Sequence, residues 1–156
     1  MSRAMDEIVV RSMAKWPDVP EVYGWLSLDR RGNWRIKAEK IGNLALREFI
    51  ARNYQPDARG RWYFQNGPQR VFVQLAYTPL VVHFEGDALV DHCGRPFEPG
   101  QAYLDEEGSL LIAGKAGISL LDDRDLARFA DRAEGLPRLA CSIVSARFGY
   151  VGNPAP

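Results

Sequence analysis

Seven residues in the first half of the chain have the types and spacing for recognition chemistry. Arg30, Arg31, Trp34 and Arg35 form one run, and Arg61, Trp62 and Arg70 form the next. Guanidinium forks match carboxylate or phosphate oxygens, and indole faces stack on a flat ligand or on a guanidinium. Side by side, the two runs would make one cationic, aromatic surface for a small anionic ligand or an acidic protein partner. The plainer arrangement puts both indoles in the core and leaves the arginines in water. Single-stranded nucleic acid would use the same groups. However, 20 Lys and Arg balance 20 Asp and Glu over 156 residues, so the overall basicity of a nucleic-acid binder is missing.

Reactive side chains are sparse and poorly placed for chemistry. His83, His92 and Cys93 are good zinc ligands by type, but a site needs about four converging donors, and their spacing fits no metal pattern. His92 and Cys93 are neighbours, and neighbours on a strand point to opposite faces, so they do not read as a nucleophile and its base. Cys141 and Ser142 have no histidine near them in sequence, and no serine sits in a Gly-x-Ser-x-Gly elbow. Acidic groups at Asp105 to Glu107 and at Asp122 and Asp123 fit a hairpin turn and a helix start, where carboxylates are structurally favoured. The run Gly114-Lys115-Ala116-Gly117 lacks the Lys-Ser/Thr ending of a phosphate loop. The residues therefore favour binding over catalysis, with no catalytic residue, metal or cofactor assigned.

The elements that must position these groups are organised around Asp57 to Leu75. Asp57 and Gly60 fit the ends of a four-residue turn, in which Asp bonds its own backbone and Gly accepts a positive φ. Arg70 to Leu75 then alternates Val71, Val73 and Leu75 with Arg70, Phe72 and Gln74, a strand with two distinct faces. The same turn is spelled at Asp29 to Gly32 and at Asp105 to Gly108, with a bulky apolar residue two places after each Gly. The last two copies also precede a strand set off by glycine, at Val71 to Leu75 and at Ile118 to Leu121. An imperfect duplication of a hairpin unit follows.

Strands are expected at Tyr23 to Leu28, Trp34 to Ile36, Leu80 to Phe84, Ala88 to His92, Ala102 to Leu104, Leu110 to Ala113 and, more weakly, Leu139 to Val144. One helix starts at Asn43 and carries Leu46, Phe49, Ile50 and Tyr54 on its inner stripe. A second starts at Asp122, with Asp125 completing a short capping box and Leu126, Phe129, Ala130 and Ala133 facing inward. The Trp16 to Pro20 tract is extended by its prolines, and Met13 reads as a better start than Met1.

The fold class that results is α+β, with two unequal modules of antiparallel hairpins packed on short helices and a probable internal repeat. Residues 1–22 form an extension and arm, 23–92 the first module, 93–151 a smaller second module, and 152–156 a disordered tail. The modules differ in charge. Gly24 to Leu75 holds ten Lys and Arg against four Asp and Glu, and Ala76 to Gly135 holds five against twelve. Such halves attract within one chain or across a homodimer. No run of about 20 apolar residues is present, as a membrane span would require. Two cysteines make no disulfide framework, and a soluble, cytoplasmic protein is expected.

Gly32-Asn33-Trp34-Arg35-Ile36 is followed by Ile41 ahead of the Leu44 to Ile50 helix, then by Gly60-x-Trp62-Tyr63-Phe64 and Arg70-Val71-Phe72-Val73 with Tyr77-Thr78-Pro79 behind. In these residues and their order the chain resembles an uncharacterised bacterial family, domain of unknown function 1285. The opening from Met13 to Ile36 is also similar to short proteobacterial proteins of unknown function. The resemblance spans residues 24–85 and implies repeated α/β modules with a ligand-binding or signalling role; it supplies no catalytic residue.

Three functions are compatible with this reading. The first is a noncatalytic protein that binds a small anion or an acidic partner through the first module. The second is an enzyme whose site assembles from residues far apart in sequence. The third is a structural homodimer joining the basic half of one copy to the acidic half of another.

Overall fold

The computed structural model describes residues 17–156. The expectations for Met13 and Trp16 lie outside the described residues. Eleven strands form two sheets, one of six strands in the order β3-β2-β1-β6-β5-β4 and one of five in the order β8-β7-β11-β10-β9. In the first sheet β1 is Glu21–Leu28, β2 Trp34–Ile36, β3 Glu39–Lys40, β4 Tyr54–Pro56, β5 Trp62–Asn66 and β6 Gln69–Leu75. In the second β7 is Leu80–Glu85, β8 Ala88–Asp91, β9 Pro99–Leu104, β10 Leu110–Gly114 and β11 Gly117–Leu121. Among the described residues two α-helices accompany them, α1 at Leu44–Arg52 and α2 at Val144–Phe148.

The two sheets repeat one plan. In each, a long strand pairs antiparallel with its successor, the chain crosses over, and a three-strand meander brings its last strand back parallel to the first: β1 beside β6, and β7 beside β11. The sheets are thus mostly antiparallel, with one parallel pair at the centre of each rather than hairpins throughout. A parallel pair needs a crossover. The first crossover contains α1, whereas the second is a short loop, which makes the modules unequal. The change of sheet falls at residues 76–79, ahead of the 93–100 loop where composition suggests a boundary.

The Asp-to-Gly turn recurs with the same hydrogen bonds each time. Asp57 Oδ1 accepts the N–H groups of Arg59 and Arg61 at 2.9 and 3.0 Å, and Gly60 N–H donates to Asp57 O at 3.1 Å. Asp29 and Asp105 hold Arg31 with Asn33, and Glu107 with Ser109, in the same way. The turns at Asp57 and Asp105 occupy matching places, β4 to β5 and β9 to β10. A fourth copy of the turn is Asp91-His92-Cys93-Gly94. Asp91 Oδ1 accepts from Cys93 and Arg95, and Gly94 N–H returns to Asp91 O. The φ values of the four glycines, 81, 79, 82 and 83°, lie where a side chain is strained, and this explains the residue at that position.

Both sheets contribute to one continuous core, from Leu26, Phe64 and Val71 in the first to Val82, Leu111 and Ile118 in the second. The helix at Asn43 forms as expected, with Asn43 Oδ1 accepting from Leu46 N–H at 2.9 Å. It ends at Arg52, because Asn53 turns back on it through its backbone N–H to Ile50 O and its side chain to Phe49 O. Tyr54, expected on the helix, therefore begins β4 opposite Phe64 and sends its hydroxyl to Pro79 O at 2.7 Å.

Three further expectations are corrected. The second helix is a 3-10 segment, Asp123–Phe129. The Asp125 carboxylate, expected to complete its capping box, instead accepts the N–H of Phe84 on β7. Leu139 to Val144 makes no strand. Leu139 N–H bonds Leu104 O, but the Glu106 carboxylate then accepts Cys141 N–H and starts a 3-10 turn that runs into α2. Nor is the tail loose. Leu75 N–H donates to Gly152 O at 2.8 Å, Gln74 Nε2 to Asn153 Oδ1 at 2.8 Å, and Pro154 is buried, so the C-terminus lies along β6.

Candidate ligand-binding cleft

The structure divides the seven Arg and Trp candidates among three settings. Trp34 and Trp62 are core residues, grouped around the buried Tyr54 ring at centroid distances of 4.8 and 4.9 Å. Arg30 and Arg31 face the second module. Arg30 donates to Ser109 Oγ at 2.7 Å over the Tyr77 ring, and Arg31 grips Asp123 with two bonds of 2.8 and 3.0 Å. Arg35, Arg61 and Arg70 stay with the first sheet. Arg35 bonds Asp29 and Ala38 O, Arg61 bonds Asp57 and lies 4.5 Å over Phe72, and Arg70 lies 5.1 Å over Tyr63. Two of the arginines thus complete the turns that sequence reading found beside them. In Asp57, burial raises the carboxyl pKa, and the combined hydrogen bonds from Arg61 and Arg59 outweigh it and hold the group below its ordinary value.

Several strongly displaced titratable groups sit where the two modules meet. His92 packs on the first turn so closely that a Cβ on Gly32 would lie 2.6 Å from its own Cβ. Its Nδ1 accepts the N–H of Val81 at 3.2 Å, which fixes the proton on Nε2, and the ring lies beside Trp34 and Tyr54. Burial, then repulsion from Arg95, lowers its pKa to about 3. Burial, reinforced by Asp91, raises the Cys93 thiol to about 12. Burial likewise raises Tyr54 well above the ordinary phenol. Arg95 bridges the modules by donating to Ala51 O and Tyr54 O. His83 turns to Glu85 at 3.2 Å, so the two histidines do not converge. Among the described residues no group of three or more His, Cys, Asp and Glu is placed to hold a metal. A hollow of about 370 Å³ at this junction is lined by Arg31, His83, His92, Asp122 and Asp125. Its charges are already paired, Arg31 with Asp123, Arg124 with Asp122, and Asp125 with the Phe84 N–H.

The concavity best suited to a ligand lies elsewhere, in the second module, between the β8–β9 loop and the 3-10 segment. It measures about 950 Å³. Phe97 forms part of its floor. The Phe97 N–H donates to Leu89 O, and its ring covers Gly114, where a Cβ would come within 2.6 Å of it. Leu89, Ile112, Leu136, Phe84 and Phe129 supply further apolar wall. Phe84 and Phe129 lie 5.7 Å apart, with the Arg128 guanidinium 4.1 Å over the first ring and Arg132 5.6 Å over the second. Two adjacent rings thus carry a cation at each end. Arg128 is anchored, donating to Gly86 O at 2.8 Å and to Asp87 at 3.4 Å. Among the described residues Arg132 has no carboxylate within 4.0 Å, and Glu98 on the same cleft has no cation within that distance.

Sequence reading missed this cleft. Its residues come from four separate segments, and Phe129, which was noticed, was read as the inner stripe of a helix.

The family described as "Protein of unknown function (DUF2946)", carried under the name DUF2944, matches residues 5–151. The chain belongs to this family. Two solved structures share the fold. One is a DUF1285 family protein from Silicibacter pomeroyi DSS-3, 16% identical, with a TM-score of 0.56 over 79% of this chain and 82% of that one. The other is a DUF1285 family protein from Shewanella baltica OS155, 14% identical, with a TM-score of 0.52 over 68% of this chain and 90% of that one. No curated protein matches the chain. At these identities the neighbours speak for the fold alone, an α+β architecture of two similar sheet modules. Among the described residues no helix is long and apolar enough to cross a membrane.

Proposed function

We propose that this member of the family is a noncatalytic binding protein that holds a small molecule in the cleft of its second module. The observation that carries the reading is the cleft itself, about 950 Å³ with a floor of Phe97, Leu89 and Ile112 and with Asp87, Glu98, Gln101, Arg128 and Arg132 among the residues around it. Such a concavity suits a ligand whose apolar part is buried and whose polar part is oriented by a few side chains. Binding is favoured over catalysis by where the reactive groups lie. His92, Cys93 and Tyr54 are held neutral chiefly by burial at the junction between modules, and none of them lines the cleft.

The test is a thermal-shift screen against small metabolites, run in parallel on the wild type and on Ala102→Trp. Ala102 lines the cleft from β9, so an indole there would project into it and obstruct the apolar floor. A ligand of the cleft raises the wild-type midpoint by mass action and loses that effect in the variant. Shifts of equal size in both proteins would place the binding elsewhere and end the proposal.

A further inference from the structure

Resting on the cleft as the binding site, we infer that its ligand is an amphipath with a single anionic head group, a carboxylate or a phosphate monoester, on an apolar body about the length of a medium acyl chain or an aromatic ring system. Three features of the cleft lead there. Its floor is apolar, so the body of the ligand has no polar group to satisfy along most of its length. Arg132 stands at the wall with a ring beneath it and no carboxylate within 4.0 Å, so its planar donors are free for a two-oxygen anion. Arg128 is already set in direction by Gly86 O and the Phe84 ring, which lowers the ordering cost of any contact it makes to a ligand in the cleft.

The negative groups set the upper limit on charge. Asp87 is taken by Arg128, but Glu98 keeps an uncompensated carboxylate on the cleft. One anionic head can sit on Arg132 away from it. A polyanion such as a nucleoside triphosphate or citrate would bring further negative charge toward Glu98 and Asp87, and like charges in a half-enclosed site repel strongly.

Calorimetric titration with four probes separates this inference from the reading beneath it. The probes are octanoate, octyl phosphate, 1-octanol and citrate, applied to the wild type, Arg132→Gln and Ala102→Trp. The inference expects octanoate or octyl phosphate to bind the wild type, and whichever binds more tightly identifies the head. It expects that affinity to fall about tenfold in Arg132→Gln, in line with the loss of one charge-assisted contact, and to disappear in Ala102→Trp. The affinity of 1-octanol should be the same in wild type and Arg132→Gln, and citrate should not bind. Octanol binding as tightly as both anions, or anion binding indifferent to Arg132→Gln, would overturn the anion assignment and leave the cleft as a site for neutral ligands. Binding of any probe unchanged in Ala102→Trp, or no binding by octanoate, octyl phosphate and octanol alike, would overturn both. Arg132 is exposed on a surface turn, so the glutamine variant is expected to fold; its circular dichroism and unfolding midpoint provide the check.

Discussion

The backbone N–H of Val81 donates to Nδ1 of His92 across the junction of the two modules, at 3.2 Å, and this bond exists only while the imidazole is neutral. The ring is lowered to about 3 in the folded chain, from an ordinary value of 6.5. Between those values the unfolded chain binds a proton that the folded chain refuses. Stability is therefore complete above about pH 6.5 and falls as the pH drops toward 3, with a limiting slope of about 1.4 kcal/mol per pH unit. The lowered carboxyls of Asp29 and Asp57 act in the same direction, but from below their ordinary 3.8. Urea unfolding between pH 4.5 and 7.5 isolates the histidine. His92→Asn keeps an acceptor near Nδ1 and removes the titration, so its stability should vary much less over that range. An unchanged slope in the variant would show that His92 is not the group responsible.

Gly60 and Gly108 occupy matching turns of the repeat, and their substitutions should part company. Both have φ near 80°, so alanine at either place costs about 1–2 kcal/mol of backbone strain. At Gly108 a Cβ meets nothing within 4 Å. At Gly60 it would lie 2.0 Å from the carbonyl oxygen of Gly149, where the C-terminal segment bridges back to Arg61. Gly60→Ala should lose about 1–3 kcal/mol beyond the Gly108→Ala loss. Equal losses in denaturant titrations would mean that the C-terminal segment moves aside freely.

This pair also shows what the sequence made legible. The turn at each site could be read because Asp and Gly act on their own neighbours, through bonds no more than four residues apart. The duplication could be read for the same reason, since it repeats those local signals in order. What closes on Gly60 could not be read, because Gly149 reaches it only through the fold. Trp34 and Trp62 illustrate the same limit. Their type allowed a recognition surface or a core, and only the position of Tyr54, misplaced onto the helix by a spacing that happened to continue, decides for the core. The cleft was least accessible. Arg132 and Phe97 lie far apart in sequence and become neighbours of one hollow only through the fold.

The fourth turn, at Asp91, gives a check on the repeat at the level of single atoms. Asp91 is buried, and its Oδ1 satisfies two backbone donors, Cys93 and Arg95. Asp91→Ala leaves both without that acceptor and should cost about 1–3 kcal/mol. Asp91→Asn keeps a side-chain oxygen in place and should cost clearly less. If the two variants are equally destabilised, the carboxylate charge matters more than the turn bonds, and the equivalence of the four turns fails at this position.

The opposite charges of the two halves invite the idea that electrostatics holds the modules together, and the geometry points the other way. Among the described residues Arg31–Asp123 is the ion pair that joins a first-sheet turn to the second module, with side chains 50% and 58% exposed. Water and salt screen such a pair, so its net worth is small even with two well-aligned bonds. The continuous apolar core and the buried Tyr54 hydroxyl on Pro79 O carry the attachment instead. A double-mutant cycle of Arg31→Gln and Asp123→Asn should give a coupling within experimental error at 0.5 M sodium chloride, and unfolding should stay a single cooperative step. Tyr54→Phe, which removes one buried hydrogen bond and leaves the Pro79 carbonyl without it, should destabilise the chain by about 1–2 kcal/mol at any salt. Two separate unfolding steps appearing on addition of salt would instead make charge the principal link between the halves.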